Sequence, residues 1–258
     1  MISKVNSAAA CKRYAAALND SLCPVGCLLA SRLAAFYRVE QSPWHFFTSA
    51  GGQKPLALAV RGSAAWIRGN ASQEELTLLL KVMGVNRLTA GESTLLPPGW
   101  QLGEQLQQFG LKTAMTGGPA PAGDFHMEKE PSLWQVAQLM AQQGFDEQAR
   151  DNFYTDACLL KNRGMAKVYA VSCQNSLVAV AGAYCIHEKA AVLSGIYTRP
   201  EKRHKGLGRA VTQALSRDLL AEGRTVLLES APGREGFYQA MGFEKTGTTR
   251  VFCPAKEQ

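Results

Sequence analysis

The chain has 258 residues, enough for one large domain or two ordinary ones. Hydrophobic residues make up 46% and charged residues 19%, a globular balance that excludes a disordered tail, a collagen-like chain and a coiled coil. Lys and Arg number 28 against 21 Asp and Glu, and the net charge of +7 fits an anionic partner (nucleic acid, a phosphorylated cofactor or an acidic membrane surface) or serves solubility alone.

Residues 1–22 contain no continuous apolar core of the signal-peptide type. No run of about 18 apolar residues follows, so no membrane span is expected. The seven cysteines are an odd number without a CxxC pair, which predicts reduced thiols and a cytoplasmic protein. Cys23 and Cys27 lack a second ligand pair, so no metal site is expected.

In the first half, residues 45–51, 56–62 and 63–69 read as three strands. Residues 72–84 read as a helix, with Ser72 as N-cap and Glu75 three residues on, a capping box. Residues 85–91 then read as a strand, 99–110 as a helix and 111–118 as a last strand. Trp44, Trp66 and Trp100 are expected in the core rather than on a substrate platform. Residues 116–124, with Gly117, Gly118, Pro119, Pro121 and Gly123, can continue neither a helix nor a central strand. They read as a linker and divide the chain into domains 1–122 and 123–258.

The second half begins with two helices, 131–144 and 145–164, each stopped by a glycine. Strands at 167–173 and 177–186 are joined by a hairpin turn at Gln174-Asn175-Ser176, and 190–198 is a third strand after the turn at His187 to Lys189. A basic, glycine-containing loop leads into an amphipathic helix at 206–223. A strand at 225–230, a short helix at 237–242 and one or two closing strands follow. Each half reads strand, strand, strand, helix, strand, so the two look like distant copies of one α/β plan. A closing helix and strand follow in both halves, and in the second half two helices come first.

The most informative segment runs from Arg199 to Arg209. Pro200 ends a strand and a helix begins near Gly206. A helix N-terminus presents unsatisfied N–H groups and a partial positive charge, which suit phosphate. Gly206 and Gly208 let backbone approach a ligand closely. Arg199, Lys202, Arg203, Lys205 and Arg209 add charge, opposed only by Glu201. The spacing matches neither a Walker loop nor a dinucleotide fingerprint. The residues by themselves predict an anion site, with a solvated basic loop as the plainer reading.

Arg203-His204-Lys205-Gly206-Leu207-Gly208 fits the Arg/Gln-x-x-Gly-x-Gly/Ala signature of the GNAT superfamily, the acyl-CoA-dependent N-acyltransferases, and Tyr238, Gly242 and Phe243 fit its Tyr-x-x-x-Gly-Phe signature. The resemblance covers residues 130 to 258. Residues 153–156 and 161–164 also look like the second helix of two-part bacterial relatives. The resemblance implies the GNAT fold, a central mixed, mostly antiparallel sheet flanked by helices, here in two tandem halves. It implies acetyl-CoA as co-substrate. Ile196, Tyr197 and Thr198 would line the pantetheine arm, and the N–H groups of Arg203, His204, Lys205, Gly206, Leu207, Gly208 and Arg209 would cradle the pyrophosphate.

In this family an amine attacks the thioester directly, so a general acid must protonate the departing thiolate. Tyr238 matches the usual acid; a phenol with a pKa of about 10 keeps its proton at neutral pH. Its plainer role is packing beside Phe237 and Phe243, and the two roles are compatible. Some relatives carry a base in the fourth strand, but residues 190–197 contain no carboxylate. Glu229 at the end of the next strand is the substitute, or else an exposed strand-end charge. His187 and Glu188 are expected to be merely exposed. Ala231 stands where many relatives have a cofactor-contacting Asn, leaving Ser230 or backbone for that contact.

At the matching junction of the first half, residues 69–75 have little glycine and two carboxylates that would repel phosphate. That half is expected to be a degenerate, non-binding copy. The expected partner is a small-molecule or peptide amine acceptor, with no nucleic acid or membrane, in a monomer or homodimer. The alternative is a CoA-binding regulatory protein without catalysis. Nucleic-acid binding lacks any interleaving of basic and aromatic residues.

Overall fold

The computed structural model describes residues 1–18, 22–49, 55–91, 94–95, 97–113 and 123–255. The linker segment expected at 116–124 lies outside them except for Gly123 and Asp124. The chain divides into two compact units. The first comprises Met1–Phe109, Glu229–Arg234 and Lys245–Gln258; the second comprises Gly110–Leu228 and Glu235–Glu244.

In chain order the first unit contains β1 (Ile2–Lys4), α1 (Ala8–Ala16), α2 (Pro24–Phe36), β2 (Trp44–Ser49), β3 (Ala57–Arg61), β4 (Ala64–Arg68), α3 (Gln73–Val82), β5 (Arg87–Gly91) and β6 (Trp100–Leu111, whose last two residues count with the second unit). The strands β1 to β4 pair antiparallel in sequence order, and β4 pairs parallel with β5. The chain's last strand, β12 (Glu244–Pro254), pairs antiparallel with β5 through Thr249↔Gly91 to Phe252↔Leu88 and is followed in the sheet by β6. Phe252 is thereby buried in the first unit's core with Leu58, Ile67, Leu80 and Leu88.

The second unit contains β7 (Phe125–Lys129), α4 (Leu133–Ala141), α5 (Glu147–Asn162), β8 (Lys167–Cys173), β9 (Ser176–His187), β10 (Ala190–Thr198), α6 (Leu207–Ala221), β11 (Thr225–Ser230, whose last two residues count with the first unit) and α7 (Glu235–Gln239). Its sheet runs β7-β8-β9-β10-β11, antiparallel except for the parallel pair β10–β11. The β8–β9 turn is a two-residue hairpin. Gln174 and Asn175 have φ of 50° and 60°, the left-handed pair whose twist matches the strands. The helix α6 buries Leu207, Val211, Leu215 and Leu219 and lies against β8, β9 and β10. Farther along that helix, the Tyr169 hydroxyl of β8 donates to Asp218, which also takes Lys129 Nζ at 3.3 Å. Burial would raise the Asp218 carboxyl, but those two donors hold it below its ordinary value.

The two units repeat one order: a strand, two helices, three antiparallel strands, a helix and a parallel strand. Three expectations need correcting. Residues 99–110 are not a helix but most of the strand β6. Leu102, Leu106 and Phe109 have helical spacing, yet Gly103 and Gly110 weaken a helix, and tertiary pairing decides. A Cβ at Gly103 would meet Cys253 Sγ at 3.3 Å, and Gln108 is buried against β12. The helices α1 and α2 were not anticipated, although each is capped by a legible residue. Ser7 Oγ accepts from Ala10 N at 3.2 Å, and Cys23 Sγ accepts from Gly26 N at 3.3 Å ahead of Pro24. The short edge strands β1 and β7 were also missed. The expected strand over 111–118 lies outside the described residues beyond Thr113.

Phe252 fixes the C-terminal strand to the first unit. Phe252→Ala is expected to destabilise that unit by about 3–5 kcal/mol. Denaturant unfolding would measure the loss, with hydrogen exchange reporting lowered protection at Thr89 and Ala90. Unchanged protection there would contradict the β5–β12 pairing.

Candidate functional site

In the second unit, β10 and β11 pair only from Ala190↔Thr225 to Leu193↔Leu228. After that β10 bulges. Ser194 pairs with Gly182 and Tyr197 with Val180, so Gly195 and Ile196 together oppose Ala181. Gly195 supplies the left-handed φ of 62° that the bulge needs. Its α-carbon also lies against Met140 and Tyr184, which a Cβ there would meet at 3.5 Å. The strand then continues to Thr198 beyond its paired run with β11. Ile196, Tyr197 and Thr198 therefore lie on a stretch of strand whose register with β11 has ended.

A 3-10 turn over Pro200–Lys202 follows. His204 and Gly206 are both left-handed, with φ of 61° and 74°. Gly206 is the N-cap of α6 and has no side chain to bond the helix's first turn. The N–H groups at the start of α6 therefore lack both an intrahelical partner and a side-chain cap. Gly208 is small for a different reason. A Cβ there would come 3.0 Å from Thr198 Oγ1 and 3.9 Å from Phe237, so glycine lets the first turn of α6 pack onto the end of β10. The fold thus brings residues 196 to 209 together around one helix start.

Two of the basic side chains serve the loop itself. Arg203 Nε donates to Thr198 O at 3.2 Å, and Arg209 Nη2 donates to Ala240 O at 2.9 Å. Ala240 follows α7, so Arg209 ties the start of α6 to the segment that carries Tyr238. The Tyr238 ring is buried and meets Phe237 at 5.1 Å and Phe243 at 6.1 Å, both edge-on. The Tyr-x-x-x-Gly-Phe spacing has a local cause. Gly242, with φ of 85°, reverses the chain after α7, and Phe243 returns to donate its N–H to Tyr238 O at 3.2 Å.

Glu229 belongs to the first unit. Its Oε1 accepts from the Thr249 hydroxyl, and Thr249 Oγ1 in turn accepts from Gln108 Nε2 at 2.8 Å. Gln108 also donates to Thr248 O at 3.3 Å, which fixes the amide's orientation. Burial raises the Glu229 pKa above its ordinary value, although the Thr249 hydrogen bond and the Arg87 charge pull it down. Glu229 is therefore not a fully exposed strand-end charge. Gln108 and Thr249 were missed because the contact spans 141 residues and Gln108 sat in a misread helix. Ser230 Oγ donates to Ala231 O at 3.1 Å. His187 and Glu188 are exposed.

The equivalent junction in the first unit is built differently. Ser72 Oγ accepts from Glu75 N at 3.5 Å and caps α3, whose first turn carries Glu74 and Glu75. Only half of the expected capping box forms, because Glu75 Oε2 accepts from Ile2 N at 3.0 Å instead. Gly69 is pressed against backbone; a Cβ would lie 2.3 Å from Pro55 O. Asn70 Oδ1 accepts from Leu95 N at 3.3 Å. Trp44 is buried as expected, while Trp66 and Trp100 are half-buried. In the second unit, a cavity of about 290 Å³ lies beside Glu130, Leu133, Lys161, Lys167 and Glu222. It is at the opposite end of the sheet, where β8 begins and α6 ends.

None of the seven cysteines forms a disulfide, and no helix among the described residues is long and apolar enough to cross a membrane. The FR47-like protein family model matches residues 172–252, and no curated protein matches the chain. A GCN5-related N-acetyltransferase from Kribbella flavida shares the fold at 14% identity, with 92% of this chain and 98% of that one covered and a TM-score of 0.64. A tandem GNAT protein from the clavulanic acid biosynthesis pathway does so at 15% identity, 98% and 97% coverage and a TM-score of 0.65. A GNAT-family acetyltransferase from Colwellia psychrerythraea does so at 15% identity, 98% coverage of both chains and a TM-score of 0.61. The family match spans the glycine loop and Tyr238, and over nearly its whole length the chain shares the fold of these GNAT proteins.

Proposed function

We propose that this protein transfers an acyl group, acetyl by default, from acyl-CoA to an amine by direct attack. The observation that supports this most is the start of α6. An uncapped helix N-terminus at Gly206 stands beside a strand end that has left its parallel neighbour. Pyrophosphate fits the first, through the N–H groups of residues 203 to 209. The second offers backbone at Ile196 and Thr198 to amide groups of a pantetheine arm, as an added strand would use it. The first unit's α3 start, capped by Ser72 and carrying two carboxylates, fits no such anion, and we read that unit as a copy that does not bind the cofactor.

The chemistry then needs little else. The neutral amine attacks the thioester carbonyl carbon, and a C–N bond forms. The C–S bond breaks as the tetrahedral intermediate collapses, and the nitrogen loses a proton. The Tyr238 phenol gives its proton to the departing thiolate. Glu229 is the proposed proton acceptor. Its burial suits the task, because a carboxyl that holds its proton more tightly is a stronger base than an ordinary glutamate.

Gly206→Glu is expected to abolish acetyl-CoA binding in calorimetry, whereas Gly206→Ala keeps most of it. Both variants carry the same backbone penalty of about 1 kcal/mol for a left-handed side chain, so the comparison separates charge from folding. Equal binding by the two would remove the pyrophosphate from this site. Tyr238→Phe is expected to lower kcat about 100-fold with acetyl-CoA affinity unchanged. Acetyl-CoA binding with no turnover of any amine in a broad panel, by wild type and variant alike, would favour a regulatory binding protein.

Glu229 has a sign that can be checked. Its folded carboxyl holds a proton more tightly than the unfolded one, so the ionised form lowers stability at neutral pH. That loss is absent where both states are protonated, below about pH 4. Glu229→Gln is therefore expected to raise Tm at pH 7 and to leave it unchanged near pH 4. The acidic limb of the kcat/KM profile, above the ordinary glutamate value in wild type, is expected to disappear in the variant. A limb that persists would take the base role from Glu229.

A further inference from the structure

The loop between β10 and α6 holds a second feature that the pyrophosphate does not use. Two of its cations, Lys202 and Lys205, converge on one aromatic ring. Lys202 Nζ lies 5.9 Å and Lys205 Nζ 5.7 Å from the centroid of Phe125. Phe125 opens β7, the edge strand of the second unit. It pairs with Cys173 beside the β8–β9 turn, which puts it at the same end of the sheet as Thr198. The ring is half-buried, and its face attracts ammonium groups. Gathering two of them there brings like charges together. Among the described residues neither lysine has an acidic partner. Arg203 and Arg209 bond backbone carbonyls instead, so these two lysines are not the ones that hold the loop's shape.

Two ammonium groups set on a shared platform, with no carboxylate between them, match a compact dianion. A phosphomonoester is such a group, and coenzyme A carries one on its ribose in addition to the pyrophosphate. We propose that Lys202, Lys205 and Phe125 form a phosphomonoester subsite that recognises the ribose phosphate of coenzyme A, with the two lysines as ligands and Phe125 as the positioning residue. This rests on the acyl-CoA reading above and adds a selectivity to it. The protein discriminates against a donor that has the pantetheine arm and pyrophosphate but lacks the ribose phosphate.

Calorimetry of the full chain with coenzyme A and with dephospho-coenzyme A tests it. Wild type is expected to bind coenzyme A about tenfold more tightly, two exposed ion pairs to one dianion being of that order. The preference should shrink as salt rises. In the Lys202→Ala/Lys205→Ala variant the ratio is expected to fall to near one. Phe125→Leu keeps both charges and is expected to lower the ratio only in part. Inorganic phosphate should compete more strongly with coenzyme A than with dephospho-coenzyme A. Equal binding of the two compounds by wild type, or a ratio that survives the loss of both lysines, would overturn the subsite and leave the acyl-CoA reading standing. Binding of neither compound would overturn both.

Discussion

Everything at the candidate site depends on two parallel strands that stop pairing. The β10–β11 ladder ends at Leu193↔Leu228, and the bulge at Gly195 and Ile196 turns the rest of β10. Backbone donors and acceptors are obligatory hydrogen-bonding groups, so a strand that leaves its neighbour must find another partner or face water. A ligand with amides along its length can serve as that partner. The bulge is held by packing as well as by glycine, since Gly195 lies against Met140 of α4 and Tyr184 of β9. Tyr184 in turn crosses Gly182, where a Cβ would lie 2.3 Å from its ring, and meets Phe153 of α5 at 5.1 Å. Those contacts link the helices α4 and α5 to the bulge.

The two units apply the same order of elements to opposite ends. In the second, Gly206 leaves the start of α6 without a cap, and Gly208 admits the Thr198 hydroxyl where a Cβ would be crowded at 3.0 Å. In the first, Ser72 fills the same position on α3 and two glutamates face the helix dipole favourably. A cap worth about 1 kcal/mol stabilises the first unit's helix. The start of α6 in the second unit has no such side-chain cap. The strands differ accordingly: β3 and β4 have five residues each, against twelve and nine in β9 and β10. The five-residue β4 extends only one residue, Arg68, beyond its paired run with β5.

The second unit was legible because its signals are local. The hairpin at Gln174-Asn175, the glycine stops at Gly144 and Gly164, and the basic glycine loop are each contained in a few residues. The Tyr238 to Phe243 spacing is also local, since Gly242 alone makes the reversal. The first unit was less legible where tertiary pairing overrode spacing. Leu102, Leu106 and Phe109 follow a helical period, yet β12 and Gln108 make that segment a strand. No pattern within residues 99–110 reveals a partner some 140 residues away. The surroundings of Glu229 were hidden for the same reason: Gln108, Thr249 and Arg87 all come from distant segments. Phe125 was missed because β7 is a short edge strand, and half its side chains face water.

The positive charge of the loop separates into different physical tasks once the contacts are known. Arg203 closes the loop onto Thr198, and Arg209 joins α6 to the segment after α7. A planar guanidinium suits this work because its donors are fixed in direction. Lys202 and Lys205 make no such bond and rest on a ring, which attracts an ammonium without fixing its orientation. An ammonium on a flexible stem can turn towards an anion that arrives from solvent, whereas a guanidinium bonded to a carbonyl is held in one orientation with its remaining donors fixed in direction. The sequence count of five cations therefore overstates the charge directed at a ligand. In the proposed site the N–H groups at the start of α6 would meet the anion, and their exposure follows from the conformation of Gly206 rather than from net charge.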